Sequence, residues 1–324
     1  MSVAQKIISE IEKAKTILVA AHRNPEADAL GSSLAIFHHF GKDKKITVFY
    51  DDSLPYFLEF LPGVELVVHD LAKLSRDFDL AVIVDCANLS RVCEKFPEFI
   101  KGKRILNIDH HESNALYGEL NLVEPKASST GEVLFKMFSN SDRLIRKNTA
   151  TCLYAAISND TGSFQYTNTS QYSLETASSL VKLGANPAAI AHYLYETHPR
   201  SRLMLLAQML QTLKFSDDGR RGEVTLTKKM FESTGANVAM SEGFVNFLTA
   251  TAGVEVAILF REQGPDKYKI SLRSFGDLNV SKLCEKHGGG GHSQAAGCTI
   301  EGKLEDVQAT VRKEVDELLS RKSK

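Results

Sequence analysis

Six residues in the first half of the chain carry side chains that bind divalent metals: His22, Glu26, Asp28, Asp85, His110 and Asp160. Carboxylates and imidazoles without thiolates suit Mn²⁺, Mg²⁺ or Fe²⁺ better than structural zinc. Carboxylates crowded together repel one another unless cations neutralise them. Two cations about 3.5–4 Å apart would do so, and such a pair suits attack on phosphorus. These residue types therefore point to hydrolysis of a phosphate ester.

A second signal lies far downstream. Gly288, Gly289, Gly290 and Gly291 precede His292, and Ser293-Gln294-Ala295-Ala296-Gly297 follows. Glycines allow close backbone approach, and their amides can surround an anion. Arg273, at the end of an alternating segment, has the fork that grips a phosphate. By contrast, His38 and His39 lie inside a helical pattern and are expected to be structural or exposed.

Elements must bring the distant ligands together. Residues 16–21 (TILVAA) run into His22, residues 80–84 (LAVIV) into Asp85, and residues 104–108 (RILNI) into Asp109, His110 and His111. Residues 45–50 (KITVFY) form a further strand candidate. Apolar strands alternating with helical segments predict a parallel sheet covered by helices on both faces. In such a sheet, sites form at the carboxyl ends of the strands. Asp160 follows the apolar helical run CLYAAIS and opens the turn Asp160-Thr161-Gly162.

Helices are expected over residues 30–40, 129–138, 147–158, 170–183, 187–195 and 201–213. The second half has a different texture, with strands over 223–227, 254–261 and 268–273 and helices over 281–286 and 304–320. The fold class is α/β: an N-terminal parallel-sheet domain over 1–186, a helical linker over 187–214, and a smaller α+β domain over 215–324.

The 324 residues suit two domains, and 43% are hydrophobic, enough for a core in each. A net charge of −1 argues against coating long nucleic acid, which requires neutralising many phosphates. Five cysteines at irregular spacing, with no C-x-x-C pair, read as reduced thiols in an intracellular chain. No long apolar run suggests a signal peptide or membrane span, so a cytoplasmic protein without a membrane partner is expected.

The segment HRNPEADALGS from His22 to Ser32, Asp85, Asp109-His110-His111 and Asp160-Thr161-Gly162 resemble the four motifs of the DHH phosphoesterases. GGGGHSQAAG resembles the signature of the DHHA1 domain that follows them. Size and layout are similar to the group of oligoribonucleases that also act on pAp. The resemblance implies that His22, Glu26 and Asp85 hold one metal, and that Asp28, Asp85, His110 and Asp160 hold the other. His111 would meet the scissile phosphate, and Asp109 would orient the histidines. Arg273, Gly288–Gly291 and His292 would bind the far phosphate or nucleotide. It also implies Mn²⁺ as the usual metal, short RNA and small nucleotides as substrates, and a homodimer through the first domain. Glu26 is a departure: the motif usually has aspartate there, and glutamate reaches one methylene further.

Overall fold

The computed structural model describes residues 1–322. The chain forms two compact units, Met1–Thr197 and His198–Lys324.

The first unit is built on strands β1 (Thr16–Ala20), β2 (Lys45–Phe49), β3 (Leu80–Val84), β4 (Ile105–Asp109) and β5 (Leu120–Val123). They form a five-stranded sheet in the order β2-β1-β3-β4-β5, parallel throughout. All their carboxyl ends therefore share one edge. The central strand β3 is buried along its whole length, as its unbroken run LAVIV requires in a sheet covered on both faces. Edge strand β5 carries little sequence signal, because LNLV is short and only half-buried.

The two faces are covered unequally. One carries helices α1 (Val3–Lys13), α2 (Ala27–Phe40), α4 (Thr130–Ser139), α5 (Lys147–Asp160) and α6 (Gln171–Lys182) over Val19, Val82, Leu106 and Ile108. The other carries loops and the single turn α3 (Phe96–Phe99), which lay Phe78, Val92, Phe96 and Ile100 over Leu18, Ala81 and Ile83. Each such side chain taken from water contributes about 1.5–3 kcal/mol.

Two glycines set the helix packing that forms the site. A Cβ on Gly31 of α2 would lie 2.6 Å from the Cys152 carbonyl of α5. One on Gly131 of α4 would lie 2.6 Å from the Ala156 Cβ of α5. Helices α2, α4 and α5 therefore approach closely, bringing Asp28, Thr130 and Asp160 together. His39 is a core residue, as its helical setting suggested: its ring stacks on Phe138 at 4.0 Å. His38 meets the Pro62 carbonyl at 2.7 Å.

Residues 187–214, expected as a linker, divide between the units. Helix α7 (Pro187–Ala191) and the π-helical turn His192–Glu196 belong to the first. Helix α8 (Arg200–Leu210) belongs to the second, because Leu205 and Met209 are fully buried in its core.

The second unit has a mixed six-stranded sheet in the order β10-β11-β9-β8-β7-β6. Its strands are β6 (Lys214–Phe215), β7 (Arg221–Leu226), β8 (Val256–Gly264), β9 (Lys267–Ser274), β10 (Gly290–His292) and β11 (Ala295–Glu301). Only β7 and β8 pair in parallel. Helix α9 (Lys228–Thr234) follows β7. On β8, Val256, Ile258 and Phe260 join the cluster containing Val307, Val311 and Val315 of α12 (Leu304–Lys322) and Leu283 of α11 (Ser281–Lys286). Ala257 and Leu259 alternate with them and join α8 and Leu248 of α10 (Asn246–Thr249). All five cysteines are free and buried. Among the described residues, no helix is long and apolar enough to cross a membrane.

Candidate metal centre and the glycine-strand face

The carboxyl edge of the first sheet gathers the acids and imidazoles. His22 lies two residues beyond β1; its Nδ1–H donates to the Arg23 carbonyl at 2.8 Å. That leaves Nε2 facing Asp85 Oδ2 at 3.4 Å. Asp85 directly follows β3 with φ +48°, a left-handed conformation that is uncommon outside glycine and recurs at functional sites. Its other oxygen, Oδ1, lies 3.7 Å from His110 Nε2 and accepts a hydrogen bond from Thr130 Oγ1 at 3.1 Å. The Asp85 carboxylate thus stands between His22 and His110.

Asp28 lies in the first turn of α2 and is 2% exposed. The first amides of α4 hold it: Thr130 N donates to Oδ2 at 2.8 Å and Gly131 N to Oδ1 at 2.9 Å. A helix N-terminus favours a carboxylate in this position. Asp160 closes α5, and its Oδ2 lies 3.5 Å from His110 Nε2. His110 Nδ1–H donates to the Ala127 carbonyl at 3.2 Å, which fixes the ring and turns Nε2 toward Asp28, Asp85 and Asp160. Such a second hydrogen bond is the usual companion of a metal-binding imidazole.

Asp109 is fully buried behind these groups. Its Oδ1 accepts from the backbone amides of His110 and His111 and from His111 Nδ1 at 2.7 Å. Its Oδ2 accepts from Asn114 Nδ2 at 2.6 Å.

Among the described residues, two groups have ligand atoms close enough to hold an ion: Asp85, His110 and His111, and Asp28, His110 and Asp160. His22 stands beside the first through Asp85. Glu26 belongs to neither group; it is exposed, precedes α2 and makes no capping hydrogen bond.

The electrostatics suit cations. Burial and the Asp85 charge push the Asp28 carboxyl up to about 7. Burial, then the charges of Asp28 and Asp85, push Asp160 well above the usual carboxylate range. Burial would raise Asp85 too, but the His22 hydrogen bond and the nearby imidazoles outweigh it and hold Asp85 low. Burial would lower His22, His110 and His111, yet their acidic neighbours raise all three. Three carboxylates around one imidazole nitrogen, with hard oxygen donors and no thiolate, fit divalent metal.

Thr130 and Gly131 carry no sequence signal for this role. The Ser129-to-Glu132 spacing marks a helix start, and Ser129 does cap α4. Nothing local says that this N-terminus grips Asp28, 102 positions away from Thr130.

In the second unit the glycine run is not a row of free amides. Gly288 and Gly289 turn their amides back onto the Glu285 and Cys284 carbonyls at the end of α11. Gly288 has φ +70°, the left-handed position that ends a helix. Gly290 and Gly291 enter β10, where they pair with Gly297 and Ala296. A Cβ on Gly289 would lie 2.2 Å from the Gly297 carbonyl, and one on Gly291 would lie 2.4 Å from that of Ala295. The fold itself therefore demands Gly289 and Gly291. A Cβ on Gly290 would meet nothing within 4 Å.

The register places His292 opposite Ala295, Ala295 opposite Arg273, and Arg273 opposite Ala257. Paired residues share a face, so His292 and Arg273 flank Ala295, and Gly297 and Gly290 continue that small-residue floor in the next row. Arg273 Nη1 donates to the Leu272 carbonyl at 3.1 Å.

Comparison with known proteins agrees with this architecture. The model of the DHH family, N-terminal domain, matches residues 16–157, and that of the DHHA1 domain matches 224–321. The bifunctional oligoribonuclease and PAP phosphatase NrnA of Thermus thermophilus is 31% identical over 98% of this chain and 94% of its own. The Bacillus subtilis protein of that name is 25% identical over 91% of this chain and 92% of its own. A Bacteroides fragilis crystal structure, described as an exopolyphosphatase-related protein, superposes with a TM-score of 0.90 at 27% identity, covering 97% of this chain and 96% of that one. The Mn²⁺ complex of RecJ from Thermus thermophilus shares the fold at a TM-score of 0.55 and 12% identity, covering 98% of this chain and 54% of RecJ. The chain, with its DHH domain followed by a DHHA1 domain, belongs to the family of the bifunctional oligoribonuclease and PAP phosphatase NrnA.

Proposed function

We propose that this chain is a metal-dependent phosphoesterase that hydrolyses short oligoribonucleotides and linear dinucleotides such as pApA to mononucleotides, and pAp to AMP and phosphate. The observation that carries the reading is the Asp85 carboxylate, with one oxygen toward His22 and the other toward His110. Asp28 and Asp160 complete the ring around His110. His22 and Asp85, joined by Glu26 once its exposed side chain turns inward, would hold one divalent ion, and Asp28, Asp85, His110 and Asp160 the other, with Mn²⁺ the first choice. Bound there, the ions would polarise the phosphoryl group and activate water.

The chain's own residues supply position and protons. The α4 amides fix Asp28, and the Ala127 carbonyl fixes His110. Asp109 holds the His111 ring through Nδ1, and His111 would meet the scissile phosphate or give a proton to the leaving oxygen. The Asp109 carboxylate, 2.7 Å from His111 Nδ1, orients the ring and supports a proton on it, the form a general acid needs. Arg273 and His292 would receive the far phosphate. A net charge of −1 suits substrates with few phosphates. The relatives named as oligoribonuclease and PAP phosphatase support the same substrates.

Glu26 favours a second reading, a nucleotide-binding regulator with a weakened metal site. One experiment separates the two. The purified chain is incubated with Mn²⁺ and pApA, pAp, or labelled RNA of two to five nucleotides. Release of mononucleotides is expected, and Asp85→Ala should abolish it. Tight binding without release would favour the regulator.

A further inference from the structure

We propose that Phe275 is a stacking platform for the nucleobase of the nucleotide held on the Arg273–His292 face. The inference rests on the substrate reading above and adds a base-recognition element to it. Phe275 is 72% exposed. Single exposed apolar side chains are common on protein surfaces, so exposure alone says little. The setting of this one says more.

The Phe275 backbone is fastened. Its amide donates to the Glu255 carbonyl at 3.0 Å, one step beyond the Val256–Ser274 pair that ends the β8–β9 ladder. Ile270 and Leu272 point into the core, whereas Arg273 is on the opposite face. The extended ladder keeps Phe275 in step with Arg273, two residues away and therefore about 7 Å along the strand. Gly276, with φ +71°, then turns the chain. Gln294 Nε2 donates to the Gly276 carbonyl at 2.6 Å, and Ser274 N donates to the Gln294 carbonyl at 2.9 Å. Those bonds tie the Phe275 turn to the tip of the β10–β11 hairpin, next to His292.

The result is an arginine and a histidine on a floor of glycine and alanine, with an exposed aromatic ring on a fastened backbone at its rim. Arg273 and His292 suit a phosphate, and the ring suits a base. The other well-exposed phenylalanines of this unit, Phe215 and Phe247, are 46% and 50% exposed and belong to other strands and helices. Stacking on an aromatic tolerates any base, because every base has a π-face. It would let the enzyme hold the base firmly without reading its sequence.

The test uses the full chain with Mn²⁺ and compares pApA with the same dinucleotide lacking the base on its far nucleoside. Phe275→Ala should raise KM for pApA roughly tenfold, equivalent to ~1.4 kcal/mol, with a much smaller change in kcat. Phe275→Trp should restore the wild-type KM, and Phe275→Leu should not. On the base-free substrate, wild type and Phe275→Ala should share the same raised KM. An unchanged KM for Phe275→Ala on pApA would overturn the inference. So would an equal rise on both substrates, which would signal general damage to the face. A wild-type chain inert toward pApA would overturn the substrate reading first, and this inference with it.

Discussion

Asp109 belongs to neither candidate ion-binding group, yet it holds both histidines in place. Its two oxygens accept from the amides of His110 and His111, the His111 ring and Asn114. Asp109→Asn keeps the shape but turns one acceptor into a donor facing other donors. We expect turnover to fall roughly 10–100-fold, with weaker Mn²⁺ affinity, as loss of a ligand-orienting partner does. Steady-state rates and metal titration of the variant check this; wild-type values for both would remove the positioning role. Residue types made much of this centre legible. His22, Asp28, Asp85, His110 and Asp160 are all gathered at one sheet edge, because each follows an apolar segment or occupies a helix end. The supporting bonds were illegible, since Thr130 and Gly131 act through backbone amides that any sequence possesses. Glu26 was legible by position only, and its exposed side chain lies outside both ion-binding groups.

At the scale of elements, the buried strands announced themselves through unbroken apolar runs, and the glycine strand could not. Glycine has no side chain to alternate, so nothing in the sequence marks Gly290–His292 as a strand, although it forms β10. The structure also separates glycines the fold needs from the one it does not. Gly289→Ala drives a methyl into the Gly297 carbonyl and the Cys298 Cβ, 2.2 and 2.6 Å away. It should destabilise the second unit by about 1–3 kcal/mol or more, read as a lower denaturation midpoint. Gly290→Ala places its methyl in open space and should leave that midpoint within about 0.5 kcal/mol of wild type. Because that methyl would stand two residues along β10 from His292, on the same face, KM for pApA should rise all the same. A Gly290→Ala chain with wild-type stability and wild-type KM would remove this face from the substrate site.

At the scale of the whole molecule, each unit has its own core, and the candidate metal centre belongs to the first alone. Stability in the absence of metal should therefore depend on pH through that unit, with a definite sign. Asp28 is raised to about 7 from an unfolded value near 3.9, so the folded chain binds its proton more tightly. That contribution is lost as pH rises through 7, and Asp160 acts in the same sense. His22, His110 and His111 are raised as well; they stabilise below about 6.5 and cease to do so as pH passes their folded values. Asp85 has the opposite sign, but its window lies below about 4 and does not enter. The chelator-treated chain should thus lose stability between pH 5.5 and 8. Metal reverses the slope, because ligands bind deprotonated and each binding event releases protons. Thermal unfolding with and without Mn²⁺ at pH 5.5, 6.5 and 7.5 should show a metal-induced rise in midpoint that grows with pH and is confined to the first unit's transition. A metal-free midpoint that stays flat or climbs with pH would mean that the acids around His110 are not crowded enough to need a cation.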